Sequence, residues 1–319
     1  MRRRTFLLGC VLATIPGAAM AQASARKIGF VSWFSPELAS QVEQFRNGMR
    51  DLGYVEGRDF TLETHFTGAD ASRTREVVRK MVRDKVDIIV AVVSPAIEIA
   101  KQEAGSLPIV MASVADPIAA GQSLSRPGGN LTGRTMFGPE LAAKRIDLLR
   151  DIKPDLRTVA FLGSSAAQST PRFVREMQAA TDRTGLKLVS HVVGGPKAID
   201  AAVFEAMRRD GAEAVIVHPI FTTYEGVIMP LADAAGMPVV ADYAEFAEAG
   251  AVLTYGIDLD ANLRRAAYFV DRIFKGASPA DLPIEQPTET KLVVNLPVAK
   301  RFGWAVPPTI LVSADRVIE

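Results

Sequence analysis

Apolar residues fall along this chain in two alternating patterns. Short continuous runs at residues 27–32, 60–67, 88–93 and 108–112 are rich in β-branched side chains and read as strands buried on both faces. Between them Val42, Phe45, Met49 and Leu52, and then Val77, Val78, Met81 and Val82, recur at helical spacing. Pro95 fits a helical first turn, so Ser94 is expected to cap a third helix running through Ile99 to Gln102. The phrase β-α-β-α-β-α-β predicts a parallel, doubly wound half-molecule.

The second half repeats the phrase. Runs at residues 159–162, 186–189, 214–217 and 238–241 answer the four earlier ones at an offset of about 130 residues, which marks a duplicated unit. Phe173, Val174, Met177 and Ala180, then Val203, Phe204 and Met207, form amphipathic stripes between them. The fold class expected is α/β, with two similar doubly wound parallel-sheet lobes joined by a multi-strand hinge.

Three joints are visible. The turn-rich residues 126–130 precede a long helix striped by Leu141, Arg145, Leu148, Leu149 and Ile152, so the chain is expected to leave the first lobe near residues 134–138. A second joint lies at residues 255–258, after which a helix bearing Leu263, Ala266, Ala267, Val270 and Ile273 returns to the first lobe. The proline-rich residues 280–287 make a third, ahead of a strand at residues 291–295. The expected division is a leader over residues 1–21, a first lobe of residues 26–136 plus 258–284, and a second of residues 137–257 plus 285–319. Such a build closes around a small molecule.

Composition narrows the function. Arg2, Arg3 and Arg4, an apolar segment at residues 5–15 and the small-x-small triplet Ala19-Met20-Ala21 read as a cleavable export signal, with periplasmic delivery expected. Residues 3–7 also resemble a twin-arginine signal and residues 7–10 a lipoprotein box, but the apolar stretch continues past Cys10 to the better cleavage site. Cys10 is the sole cysteine, so the mature chain has no disulfide and no thiolate metal site. Removing three leader arginines from 37 basic and 36 acidic residues leaves a formal charge of −2, with no basic patch for nucleic acid.

Open α/β sheets bind ligands at the carboxyl ends of their strands, so the candidates lie there. Ser94, with Pro95 and Ala96, opens a helix whose free N–H groups suit a carboxylate; Ser113 and Asp116 end the next strand. Asp242 ends the matching strand of the second lobe, where a carboxylate pairs with an ammonium; the competing reading is a cap for residues 244–249. Trp33, Phe221 and Tyr224 follow strands and are expected to wall the cleft, with Phe137 and Tyr255 at the hinge. The solute expected is a small carboxylate-bearing molecule, foremost an amino acid. His65, His191 and His218 fall on separate elements with no metal-ligand spacing, and no Walker loop, GxGxxG or GxSxG occurs, so neither metal, cofactor nor catalysis is expected.

Three stretches carry a family resemblance: Arg126-Pro127-Gly128-Gly129-Asn130-Leu131-Thr132-Gly133, Leu282-Pro283-Ile284-Glu285-Gln286-Pro287-Thr288, and Val306-Pro307-Pro308-Thr309-Ile310-Leu311 with Ala314-Asp315-Arg316-Val317-Ile318. With them the chain resembles the periplasmic substrate-binding components of ABC transporters, whose better-known relatives handle tryptophan and other amino acids. The resemblance implies a type I periplasmic-binding fold, a monomeric solute receptor and a membrane permease as partner. A ligand sensor signalling to a membrane kinase or chemoreceptor has the same sequence features. One departure stands at residues 163–168, where relatives often carry an Asn-Pro-rich turn, and it makes Ser164 a further candidate for ligand choice.

Overall fold

The computed structural model describes residues 25–34, 40–117 and 123–319; the export signal and its variants lie outside the described residues. The first half winds as β1 (Arg26–Ser32), α1 (Ser40–Asp51), β2 (Phe60–Phe66), α2 (Ala71–Arg83), β3 (Ile88–Val92), α3 (Ser94–Glu103), β4 (Ile109–Val114) and β5 (Leu131–Thr135). The second half continues through α4 (Gly138–Ile152), β6 (Thr158–Ser164), α5 (Thr170–Thr184), β7 (Lys187–Val193), α6 (Ala201–Arg209), β8 (Ala214–Val217), α7 (Glu225–Ala234), β9 (Val239–Ala241) and α8 (Ala244–Glu248). The chain closes with β10 (Leu253–Ile257), α9 (Leu259–Phe274), β11 (Thr290–Asn295), α10 (Leu296–Arg301), α11 (Pro308–Ser313) and β12 (Arg316–Ile318).

Among the described residues the strands form two sheets, ordered β2-β1-β3-β4-β5 and β12-β11-β10-β9-β8-β6-β7. The first is parallel throughout. The second is parallel except at the β10–β11 pair, so the lobes are related but not copies. Each is a doubly wound sheet, as the sequence pattern implied.

Burial explains why these runs are strands. Every residue of β3 and β4 is buried, because helices cover both faces of the first sheet. In the second sheet the period of two is explicit: Val159 and Phe161 of β6 with Ile216 of β8 join the core on one face, while Ala160 and Leu162 with Val215 and Val217 join the core on the other.

The helix α9 belongs with the first sheet although the chain has already built most of the second. Its Leu263, Ala266, Ala267, Phe269 and Val270 are all in the first core. Gly48 makes this docking possible, since a Cβ there would stand 2.2 Å from the Arg264 carbonyl oxygen. Residue Ile284 still packs in the first core, whereas Leu292 packs in the second.

Two sequence expectations need correcting here. Residues 131–135 form the edge strand β5, where the sequence suggested a break leading into a helix; Gly133 and Arg134 weaken its apolar signal. Its outer edge is closed by residue 285, whose N–H donates to the Gly133 carbonyl while its own carbonyl accepts from Thr135 N–H. Residues 255–257, read as a joint, are the last residues of β10.

Candidate functional site

The carboxyl ends of both sheets face one another across the cleft, and the lobes are closed on each other. Between them lies a narrow, nearly filled space, lined from the first lobe and hinge by Val93, Ser94, Pro95, Ala115 and Met136, and from the second lobe by Ala167, Ser169, His218, Pro219, Ile220 and Tyr243. Most of these walls are apolar. Ser94, Ser169, His218 and Tyr243 supply the polar groups.

The first-lobe wall has an unusual backbone. Val93 follows β3 with φ 71° and ψ 147°, a region that β-branched residues rarely enter, and it occupies the position before α3. Ser94 is therefore the first helical residue rather than the cap, and its Oγ accepts the N–H of Ala115 at 3.0 Å. Ser113 sits in a β-bulge between Ala112 and Val114 with φ 77°, and its Oγ accepts from Asn262 Nδ2 of α9 at 3.3 Å. Asp116 is no simple turn residue. Its Oδ1 pairs with Arg172 Nη1 of α5 at 2.6 Å, linking the first lobe to the second, and the same guanidinium pairs with Glu140.

The second-lobe wall is built from strand ends. His218 directly follows β8, and its Nδ1 accepts from Ile220 N–H at 3.0 Å, so in the neutral ring the proton sits on Nε2, which points to Ser169 Oγ at 3.4 Å. Burial, together with the charge of Arg145, lowers the His218 pKa to about 3 and keeps the ring neutral. Tyr243 reaches across the cleft. Burial and then the Asp242 charge push its phenol well above the usual pKa, while a hydrogen bond with Ser113 of the other lobe opposes the shift.

Asp242 is buried, and neither carboxylate oxygen has a hydrogen-bond partner. The cap of α8 is Tyr243, not Asp242, which settles the competing reading. Burial raises the Asp242 pKa to about 7, with Arg145 pulling the other way.

The remaining candidates scatter. Pro95 lines the space, while Ala96 is buried in the core behind it. Trp33 is buried in the first core. Phe221 is fully buried in the second lobe, with Tyr224 half-buried against the same core, so these two aromatic rings pack the lobe instead of walling the space. Phe137 precedes α4 with φ 53°, and its N–H donates to Thr135 Oγ1 at 2.9 Å, a hinge role. Ser164 Oγ accepts from Ala166 N–H and shapes its own turn, which delivers Ala167 and Ser169 to the wall. Tyr255 offers its carbonyl to Arg145 Nε at 2.7 Å.

Sequence reasoning missed Ser169 and His218 as lining residues and Arg145 as a buried charge of α4. The signal for His218 was its place one residue past a strand. Arg145 was an arginine within an otherwise apolar stripe. Among the described residues no cluster has the makings of a metal site.

The same architecture recurs in solved structures. A domain in complex with L-Trp from Streptococcus pneumoniae superposes with a TM-score of 0.86 at 24% identity, covering 92% of this chain and all of that one. The ligand-free, open structure of a substrate binding protein with adhesive properties from Clostridium difficile gives 0.68 at 21% identity, over 92% of this chain and 99% of that one. A tyrosine-binding protein of Clostridioides difficile strain R20291 is 21% identical over 262 residues, spanning 82% of this chain and 75% of that protein. The sequence model of one family, described as ABC transporter substrate binding protein, matches residues 28–318, and with nearly the whole chain covered, the protein belongs to that family.

Proposed function

We propose that this chain is the periplasmic solute receptor of an ABC importer, that its solute is an amino acid, and that the closed receptor hands the solute to a membrane permease. The observation that carries the amino-acid reading is Asp242, a buried carboxylate with both oxygens unpaired at the ligand-binding edge of the second sheet. A buried carboxylate of this kind calls for a cationic donor. The mostly apolar space beside it suits a hydrophobic side chain, in keeping with the tryptophan and tyrosine named for two relatives. Export by the leader at residues 1–21 and a monomeric state belong to the same reading.

A thermal-shift screen over the twenty amino acids, aromatic acids, purines and sugars tests it. A solute at a hundred times its dissociation constant adds about 2.7 kcal/mol of stability. An amino acid, foremost an aromatic one, is expected to raise the melting temperature. Stabilisation by a sugar or purine alone would overturn the solute class and leave the receptor role standing.

A further inference from the structure

The second lobe buries two opposite charges that do not pair. Arg145 is fully buried, and beyond the bond from Nε to the Tyr255 carbonyl, neither Nη1 nor Nη2 has a hydrogen-bond partner. Asp242 is nine-tenths buried or more, with both oxygens equally unmet. The two residues come from different elements, α4 and the end of β9, and are fixed to adjacent residues of one strand. Arg145 holds the carbonyl of Tyr255, while at Gly256 an added Cβ would stand 2.3 Å from the Asp242 carbonyl oxygen. Gly256 thus lets the Asp242 backbone press against β10.

Each charge senses the other, since Arg145 draws the Asp242 carboxyl down and Asp242 draws the Arg145 guanidinium up, yet they share no hydrogen bond. Neither lines the walled space itself, but each stands behind a residue that does: His218 feels the Arg145 charge, and Tyr243 is the next residue after Asp242. A desolvated guanidinium left half-bonded and a desolvated carboxylate left wholly unbonded are each costly alone. One kind of molecule meets both at once, a zwitterion with an anionic and a cationic end a short distance apart. A dianion would be repelled by Asp242, and a dication by Arg145.

We infer that Arg145 and Asp242 form a zwitterion cradle, the guanidinium taking the α-carboxylate of the solute and the Asp242 carboxylate taking its α-ammonium. This deepens the amino-acid reading and rests on it. It also moves the carboxylate from the start of α3 to α4, since the Ser94 Oγ already serves Ala115.

Calorimetry with L-tryptophan, tryptamine and indole-3-propionate tests the cradle, because the analogues remove the carboxylate and the ammonium in turn. If the screen selects another amino acid, its decarboxylated and deaminated forms replace these. Wild type is expected to bind the amino acid at least about tenfold more tightly than either analogue, the scale of one charge-assisted bond. Arg145→Gln should weaken the amino acid by about tenfold or more while changing the amine less than about threefold; Asp242→Asn should do the reverse, sparing the deaminated acid. Should Arg145→Gln fail to fold by circular dichroism, Arg145→Lys keeps the charge, loses the fork, and should show the same selective pattern to a smaller degree. Equal losses for all three ligands would make the pair a structural one bridged by water and overturn the cradle, as would wild type binding the amine as well as the amino acid. Failure of every amino acid to bind would overturn the functional reading and the cradle together.

Discussion

The two lobes bring equivalent strand ends to the cleft, yet they differ in what stands there. In the first lobe β3 and β4 end in residues of strained backbone, Val93 at φ 71° and Ser113 at φ 77°, and the groups they offer are uncharged. In the second lobe His218, next after β8, is relaxed at φ −69°, as is Tyr243, two residues past β9, at φ −107°, but the side chains include two buried charges and a buried neutral histidine. A doubled winding therefore fixes where a site lies without fixing its chemistry. On the proposed reading the second lobe holds the electrostatics that choose a solute, and the first supplies a shaped lid whose own charge, Asp116, is engaged with Arg172.

The largest expected break in this contrast is with pH, because Asp242 and His218, the strongly shifted groups at the cleft that titrate below about pH 7.5, belong to the second lobe. Asp242 has its pKa raised from 3.8 to about 7 by burial, so between these values the folded chain keeps a proton that the unfolded chain has released, and stability falls as pH rises through that window. His218 has its pKa lowered from 6.5 to about 3 by burial, so the unfolded chain holds the extra proton and stability rises with pH over that range. Where the windows overlap, from about pH 4 to 6.5, these two slopes oppose each other, while Glu98, raised to about 7 by burial, adds a falling one. Relative to wild type, urea unfolding of Asp242→Asn should show a pH slope of stability that is more positive by up to about 1.4 kcal/mol per unit, and His218→Asn one that is more negative by a similar amount. Equal slopes in the two variants would mean that these groups do not dominate the titration.

Backbone strain in the first lobe predicts a smaller and inverted effect at Val93. Glycine ordinarily costs about 0.5–1 kcal/mol against alanine in regular structure, through the entropy of the unfolded chain. At φ 71° and ψ 147° the order should reverse, with Val93→Gly more stable than Val93→Ala by about 1 kcal/mol, because alanine keeps the steric penalty that glycine lacks. Comparing the two variants removes the lost burial of the valine side chain, which both share. An alanine variant more stable than the glycine one would show that the first lobe stores no strain there.

These contrasts also mark how far the sequence could be read. The runs that became β3, β4, β6 and β8 were legible to within two residues at either end, because strands buried on both faces must be apolar at every position. Edge strands carry no such demand. For that reason β5, with Gly133 and Arg134, and the three-residue β12 did not stand out. Asp242 was legible from its place at a strand end. Arg145 was not, since helical periodicity says which face is buried but not that a carbonyl 110 residues later will meet a buried guanidinium. Val93 and Ser113 were invisible for another reason: neither residue type signals a positive φ, and each is held there by neighbours distant in sequence.

The smallest expected effect concerns a charged contact that crosses between the lobes. Arg172 is 18% exposed and joins Asp116 of the first lobe to Glu140 at the start of α4. Asp116 is buried, so its desolvation on closing offsets much of the attraction; the net contribution is about 1 kcal/mol and falls on the closing equilibrium, because the contact exists only while the lobes are closed. Arg172→Gln should weaken solute binding by about two- to fivefold, should enlarge the radius of gyration of the solute-free protein in X-ray scattering, and should leave the solute-saturated radius unchanged. Asp116→Asn should do the same, and the double variant should add little, since either change removes the same bond. Added salt should narrow the gap between wild type and variants by screening the pair. If Arg172→Gln instead lowered affinity as steeply as Asp242→Asn, the assignment of lid to one lobe and recognition to the other would fail, because a first-lobe contact would then be choosing the solute.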